Sequence, residues 1–217
     1  MHADPQDPQY ASRAAYKLAG ALDAWGEDGP QIVGRQCLDV GASTGGFTDV
    51  LLRRGAAHVV ALDVGHDQLA PWIAQDPRVE VREGVNARQL AAGHLTPSPS
   101  IVVADLSFIS LTLVLPALAE VADCAADLVL LVKPQFEVGR DRLGAGGVVR
   151  DRVLHRAAVQ QVVDCAGGLG LAVRGLLPSV LPGPSGNLEF LLWLSAGVPA
   201  AERADPGSLL DLVDGAR

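Results

Sequence analysis

Short apolar runs, most of them closed by a charged or turn-forming residue, alternate along this chain with stretches of helical periodicity. The runs are 36–40, 58–63, 79–82, 100–104, 128–132, 171–177 and 188–194. Each is too short for a stable helix and is bounded by turn residues, so each is a predicted strand. Between them, Ser12 is placed to cap a helix running to Trp25, with Ala15, Leu18, Ala19, Leu22 and Trp25 on one face. Further helices are predicted from Gly46 to Arg54, Gln68 to Ala74, Leu111 to Cys124, and Asp151 to Ala166, the first of these stopped by Gly55 and the last by Gly167-Gly168. No helical segment separates the last two strands, which suits an antiparallel pair. The pattern predicts an α/β fold: a doubly wound, mostly parallel, seven-stranded sheet with an antiparallel last strand.

Segments outside this rhythm set the boundaries. Residues 1–9 carry prolines and no periodicity, as an arm or linker does. Residues 10–195 form the predicted domain, and 196–217 an alanine-rich tail with a weak helix at Leu209 to Val213. Gln135 to Val149 holds Gly139, Gly144, Gly146 and Gly147; a loop this long inside a domain points to function.

Hydrophobic residues make up 49% of the 217 and charged residues 19%, enough to build a packed core. No run is long and uncharged enough to span a bilayer, and the polar, acidic start does not read as a secretory signal, so a cytoplasmic protein without membrane contact is expected. Cys37, Cys124 and Cys165 lie far apart in apolar surroundings and read as buried, reduced thiols. The five histidines show no ligand spacing, so no metal is expected. The net charge of −8 sits awkwardly with a nucleic-acid substrate. Arg13, Lys17, Arg140, Arg142, Arg150, Arg152 and Arg156 either gather as a cationic face around one cleft or are ordinary surface charges.

The candidate chemistry lies where the strands end. Cys37 to Val40 runs into Gly41-Ala42-Ser43-Thr44-Gly45-Gly46-Phe47-Thr48, a glycine-rich turn opening a helix. Such a turn lets a nucleotide-like ligand approach the backbone, with free N–H groups behind it. Asp63 closes the next strand about twenty residues on, where a ribose-binding carboxylate belongs. Asp39, Asp63, Asp105 and Lys133 all fall at strand ends and so share one rim. Lys133 follows a wholly apolar strand, where desolvation favours a base, and Asp105 is its natural counter-charge. Glu189 is the one charge in a long apolar run and needs a cationic partner if buried. Each has a plainer alternative: Glu189 facing solvent on an edge strand, Asp105 capping a helix, Lys133 snorkelling to water, Lys17 on a solvated helix face, and the turn holding no ligand.

Five segments together carry a resemblance: 12–18 (SRAAYKL), 39–48 (DVGASTGGFT), 104–110 (ADLSFIS), 132–139 (VKPQFEVG) and 181–189 (LPGPSGNLE). They resemble the TlyA-type, FtsJ-like ribosomal RNA 2′-O-methyltransferases, a family also labelled haemolysin. The resemblance implies a Rossmann-like class I methyltransferase fold, S-adenosylmethionine as cofactor, and ribosomal RNA or ribosomal subunits, methylated at a cytidine, as substrate. It implies a catalytic set on Lys17, Asp105, Lys133 and Glu189. Cofactor contacts fall on Gly41, Ser43, Gly45, Gly46, Phe47, Asp63, Val64, Asn86 and Asp105, with Asn86 in place of a frequent aspartate. Such proteins carry an N-terminal S4-like RNA-binding domain, and its absence here is a departure. Three rivals fit less well. For a membrane-active haemolysin the sequence shows no spanning segment, signal peptide or basic amphipathic helix, a non-catalytic scaffold has no need of all four charges, and the turn lacks the Gly-x-Gly-x-x-Gly spacing of an NAD enzyme.

Overall fold

In the computed structural model, which describes residues 10–199 and 206–216, the apolar runs pair into one sheet. Its strands are β1 (Gln36–Val40), β2 (His58–Leu62), β3 (Val79–Arg82), β4 (Ile101–Ala104), β5 (Asp127–Val132), β6 (Ala172–Pro178) and β7 (Phe190–Ser195). Their order is β3-β2-β1-β4-β5-β7-β6, with β3 through β5 parallel to one another and β7 antiparallel to both neighbours. The antiparallel pair expected at the end of the chain forms, and β7 also inserts beside β5. Every residue of β7 is buried, whereas β6 exposes Arg174 and Pro178, so the apolar strand takes the inner place and the mixed one the edge. The predicted arm at 1–9 and tail residues 200–205 and 217 lie outside the described residues.

Alternation along the strands splits the core in two. On one face, Leu18 and Leu22 of α1 (Ala14–Trp25) and Phe47 and Leu51 of α2 (Gly46–Arg53) pack on Ile101, Val103, Leu131 and Leu191. On the other, α4 (Leu115–Val121) and α6 (Arg152–Gly168) pack Leu115, Leu118, Val159 and Val163 on Leu38, Val102, Leu130 and Leu192. The chain entering α1 is clasped to α2: Ala11 N–H donates to Asp49 at 2.9 Å, and the Arg53 guanidinium lies 4.8 Å over the Tyr10 ring.

Several boundaries differ from the sequence reading. Ser12 does not cap α1; Arg13 has helical dihedrals and no side chain caps it. The helix expected from Leu111 to Cys124 is a 3₁₀ turn (Leu111–Leu113) followed by the shorter α4, because Pro116 cannot donate back into a preceding turn. The helix expected from Gln68 shrinks to one turn, α3 (Pro71–Ala74). α6 runs through Gly167 and Gly168 and stops at Leu169, where Gly170 takes a left-handed φ of 79°. The loop from Gln135 begins as a helical turn, α5 (Pro134–Glu137), and α7 (Pro206–Gly215) extends the weak tail helix. The thiols divide: Cys37 is buried and its pKa is pushed up to about 12 by desolvation, Cys165 is half-buried, and Cys124 is exposed, contrary to expectation. Among the described residues, no helix is long and apolar enough to cross a membrane, and no group of His, Cys, Asp and Glu is arranged for a metal.

Candidate active site

The β1–α2 turn is folded around two close approaches. Gly41 has a φ of 82°, and a Cβ there would lie 2.6 Å from the Asp105 carbonyl oxygen, so only glycine lets the turn lie against the end of β4. One oxygen of Asp63 accepts the Ser43 N–H at 2.8 Å and the other accepts the Gly65 N–H at 2.7 Å. The acid at the end of β2 therefore braces the turn at the end of β1. A cavity of about 430 Å³ opens beside it, bounded by Gly41, Ser43, Asp63, Val64, Asn86 and Asp105, with Val40, Leu62, Val85, Leu106 and Ile109 as apolar wall. The Asn86 side-chain oxygen accepts from Arg88 N–H at 3.0 Å, which fixes the amide at that wall.

Three other residues of the turn lie off the cavity wall. A Cβ at Gly45 would come within 2.6 Å of Ile73, and one at Gly46 within 2.2 Å of Ser12 Oγ and 3.1 Å of the Ala15 backbone nitrogen. Phe47 is buried in the core under α1. Their residue types are set by packing against α3 and α1.

The four charged residues singled out in the sequence meet at the rim beside this cavity. Val132 pairs with Phe190, so the antiparallel ladder sets Lys133 next to Glu189. Lys133 Nζ lies 2.6 Å from Asp105 Oδ1 but off hydrogen-bond alignment, and its hydrogen bond goes to Ser107 Oγ at 3.0 Å. Lys17 forms an ion pair with Glu189 Oε2. Exposure of Lys17, Lys133 and Glu189 is 4%, 8% and 2%. The plainer alternatives for these four side chains therefore fail on geometry. Lys17 is on no solvated face, Glu189 is buried where the chain enters the inner strand β7, and Ser110, not Asp105, caps the next 3₁₀ turn. Glu189 Oε1 is buried without a hydrogen-bond partner, the kind of unsatisfied acceptor that calls for a functional reason.

Asp39 is not on the rim. It is fully buried, accepts from Thr48 Oγ1 of α2 at 2.7 Å, and has its other oxygen unpartnered. Burial pushes its pKa up to about 7, against the pull of the Thr48 hydrogen bond and with help from the charges of Asp105 and Asp63.

The expected cationic face thins out. Arg156 pairs with Asp211 and Asp214, and Arg152 donates to the Asp214 carbonyl, so both are turned to α7. Arg13 donates to the Pro182 carbonyl at 2.8 Å, and Arg142 and Arg150 are exposed. The glycine-rich loop is anchored at its far end. Val149 N–H donates to Asn187 at 2.9 Å, and His155 Nε2 contacts the Val149 carbonyl at 2.9 Å.

Three residues of the loops around the mouth were given no role from the sequence. Ser107 takes the hydrogen bond of Lys133. Phe108 is 92% exposed, lines the cavity, holds a left-handed φ of 65°, and sets its ring 5.3 Å from Phe136. Glu137 is buried and accepts from Ser110 Oγ and from Leu111 N–H. The one trace of Glu137 in the sequence is a lone acid four residues past Lys133.

The description "FtsJ-like methyltransferase" applies to the family model that matches residues 10–196. The 16S/23S rRNA (cytidine-2'-O)-methyltransferase TlyA of Mycobacterium tuberculosis is 55% identical over 185 residues, covering 85% of this chain and 68% of that protein. Hemolysin A of Brachyspira hyodysenteriae is 39% identical over 191 residues, covering 86% and 77%. A solved structure from Lactococcus lactis, described as a hemolysin candidate, superposes with a TM-score of 0.87 at 41% identity over 94% of this chain and 98% of that one. An S-adenosylmethionine dependent methyltransferase from Mesorhizobium loti shares the fold, with a TM-score of 0.60 at 15% identity over 81% and 96%. With the family match spanning the whole sheet and every loop of the rim, this chain belongs to the FtsJ-like methyltransferase family.

Proposed function

We propose that this chain transfers a methyl group from S-adenosylmethionine to the 2′-hydroxyl of a cytidine ribose in ribosomal RNA, acting on ribosomal subunits in the cytoplasm. The observation that carries the reading is the ion pair of buried Lys133 with half-buried Asp105 at the mouth of a nucleoside-sized cavity, with the buried Lys17–Glu189 pair beside it. The kinship with the mycobacterial rRNA methyltransferase supports the substrate class.

The cavity suits the cofactor by its chemistry. Apolar side chains offer a slot for an adenine ring, Asn86 an amide for its edge, and Asp63 free lone pairs for ribose hydroxyls. Gly41 lets the backbone come close, and Val64 and Ser43 flank the ribose carboxylate. Gly45, Gly46 and Phe47 support this wall from behind. When bound, S-adenosylmethionine supplies an electrophilic methyl group on a sulfonium. Lys133 accepts the proton of the incoming hydroxyl or holds the alkoxide that develops on it. Asp105 and Ser107 fix the lysine's position. Glu189, with one oxygen held by Lys17, has the other free to accept from the ribose. Burial of Lys17, Lys133 and Glu189 keeps water away and aligns the hydroxyl for in-line attack.

The test is transfer of labelled methyl groups to purified ribosomal subunits, followed by mapping of the modified ribose. Label on a single 2′-oxygen is the expected result. Label on a base, or none on either subunit, overturns the reading.

A further inference from the structure

The loop after β4 and the helical turn after β5 are joined at three points. The first is Lys133 to Asp105 and Ser107. The second is Phe136 against Phe108. The third is Glu137, whose carboxylate accepts the Ser110 hydroxyl and the Leu111 N–H, the latter at 2.8 Å. Glu137 touches neither the cavity nor the four charged residues, yet it is 7% exposed. Burying a carboxylate is costly, and desolvation raises its pKa while its two donors pull it down. Such a group needs a reason to be there.

Phe108 supplies one. A bulky residue at a φ of 65° with a ring 92% exposed is strained in its backbone and gains nothing from burial. The loop keeps that shape only if its ends are held. Asp105 holds the start through Lys133, and Glu137 holds the other end at Ser110 and Leu111. We propose that Glu137 is a positioning residue: it latches the 105–111 loop to α5 and so presents Phe108 and Asp105 to the target nucleotide. The proposal rests on the RNA reading for the identity of what Phe108 meets, an unstacked base, but not for the latch itself.

Amide hydrogen exchange and methyl transfer on this chain test both parts. Glu137→Ala is expected to speed exchange across 105–111 by about tenfold or more, with little change in the sheet. It lowers kcat for ribosomal subunits by on the order of a hundredfold, as small misplacements at a reacting centre do, while cofactor affinity stays within about threefold. Glu137→Gln keeps an acceptor for Leu111 and a donor for Ser110, and restores both readouts. Ser110→Ala removes one arm and gives a smaller local rise in exchange, which serves if the alanine variant of Glu137 fails to fold. Unchanged exchange at 105–111 in Glu137→Ala or Ser110→Ala, or a glutamine variant as impaired as the alanine one, overturns the latch. If the unmodified chain methylates no ribosomal RNA, the substrate reading falls, and the exchange measurements still decide the latch.

Discussion

Lys133 and Glu189 stand side by side because they extend opposite ends of two antiparallel strands: Val132 pairs with Phe190, so the residue after one meets the residue before the other. Parallel strands bring only their C-terminal ends to the ligand rim of such a sheet. An antiparallel β7 brings its N-terminal end there. Glu189 can therefore join Asp105 and Lys133 only because the last strand runs backwards, and Lys17 reaches it from α1 above.

Lys133→Ala is expected to abolish methyl transfer and to leave cofactor affinity nearly intact, since the role proposed for Lys133 is on the hydroxyl and not on the cofactor. Single-turnover transfer and calorimetry on the same preparation check this. A rate above about a tenth of the original excludes a central role, because such groups contribute roughly a hundredfold or more.

Asp63→Ala should weaken S-adenosylmethionine binding by about 1–3 kcal/mol, the usual size for losing a charged hydrogen bond. Asp63 also braces Ser43 and Gly65, so the turn itself loosens. Asp63→Asn keeps part of the bracing and falls between the two. Equal affinities by calorimetry, or tighter binding of NAD than of the methyl donor, would contradict the cavity's assignment.

Gly183→Ala tests the second ion pair. A Cβ at Gly183 would lie 2.5 Å from Glu189 Oε1, so the carboxylate must swing away from its place beside Lys17. Methyl transfer is expected to fall by about tenfold or more, from misplacement alone, with cofactor affinity unchanged. Full activity would show that the position of Glu189 is not critical.

Asp39 makes stability depend on pH. Burial raises its carboxyl from the ordinary aspartate value of 3.8 to about 7 in the folded protein, so folding favours the protonated form. That contribution is complete below about pH 4 and is lost as pH rises through about 7, a swing on the order of 2–4 kcal/mol. Asp39→Asn should flatten this part of the pH profile while still accepting from Thr48. Urea unfolding between pH 4 and 8 reads it out; parallel profiles for the two proteins would refute the linkage.

A net charge of −8, with Arg152 and Arg156 turned to α7, leaves few cations at the cleft for RNA phosphates. Fusing an S4-like domain before residue 1 is expected to raise ribosomal methylation, most at moderate salt, without changing cofactor affinity. Equal methylation with and without it, at low and moderate salt, would show that the domain's own surface suffices.

The strands, their faces and the ligand rim were legible in the chain itself. Apolar runs of strand length are local signals, and a strand's end is also the site's edge. β1 and β3 fall on the predicted residues, and β2, β4 and β5 end at or within one residue of the predicted positions, which puts Asp63, Asp105 and Lys133 at strand ends. Local pattern could not say which way a charged side chain faces among its neighbours. Lys17 read as solvated from its helix alone, and only the packing of α1 beside β7 buries it against Glu189. Asp39 read as a rim residue, yet α2 closes over it. Gly45 and Gly46 read as ligand-facing, while their missing Cβ atoms make room for α3 and α1. The contacts of Glu137 and the turn of Phe108 were not legible locally, because both depend on two loops from separate strands meeting in space. Hydrophobic period and turn chemistry act within a few residues and set the elements. Burial and ion pairing act between elements distant in sequence, so they are decided only when the sheet is assembled.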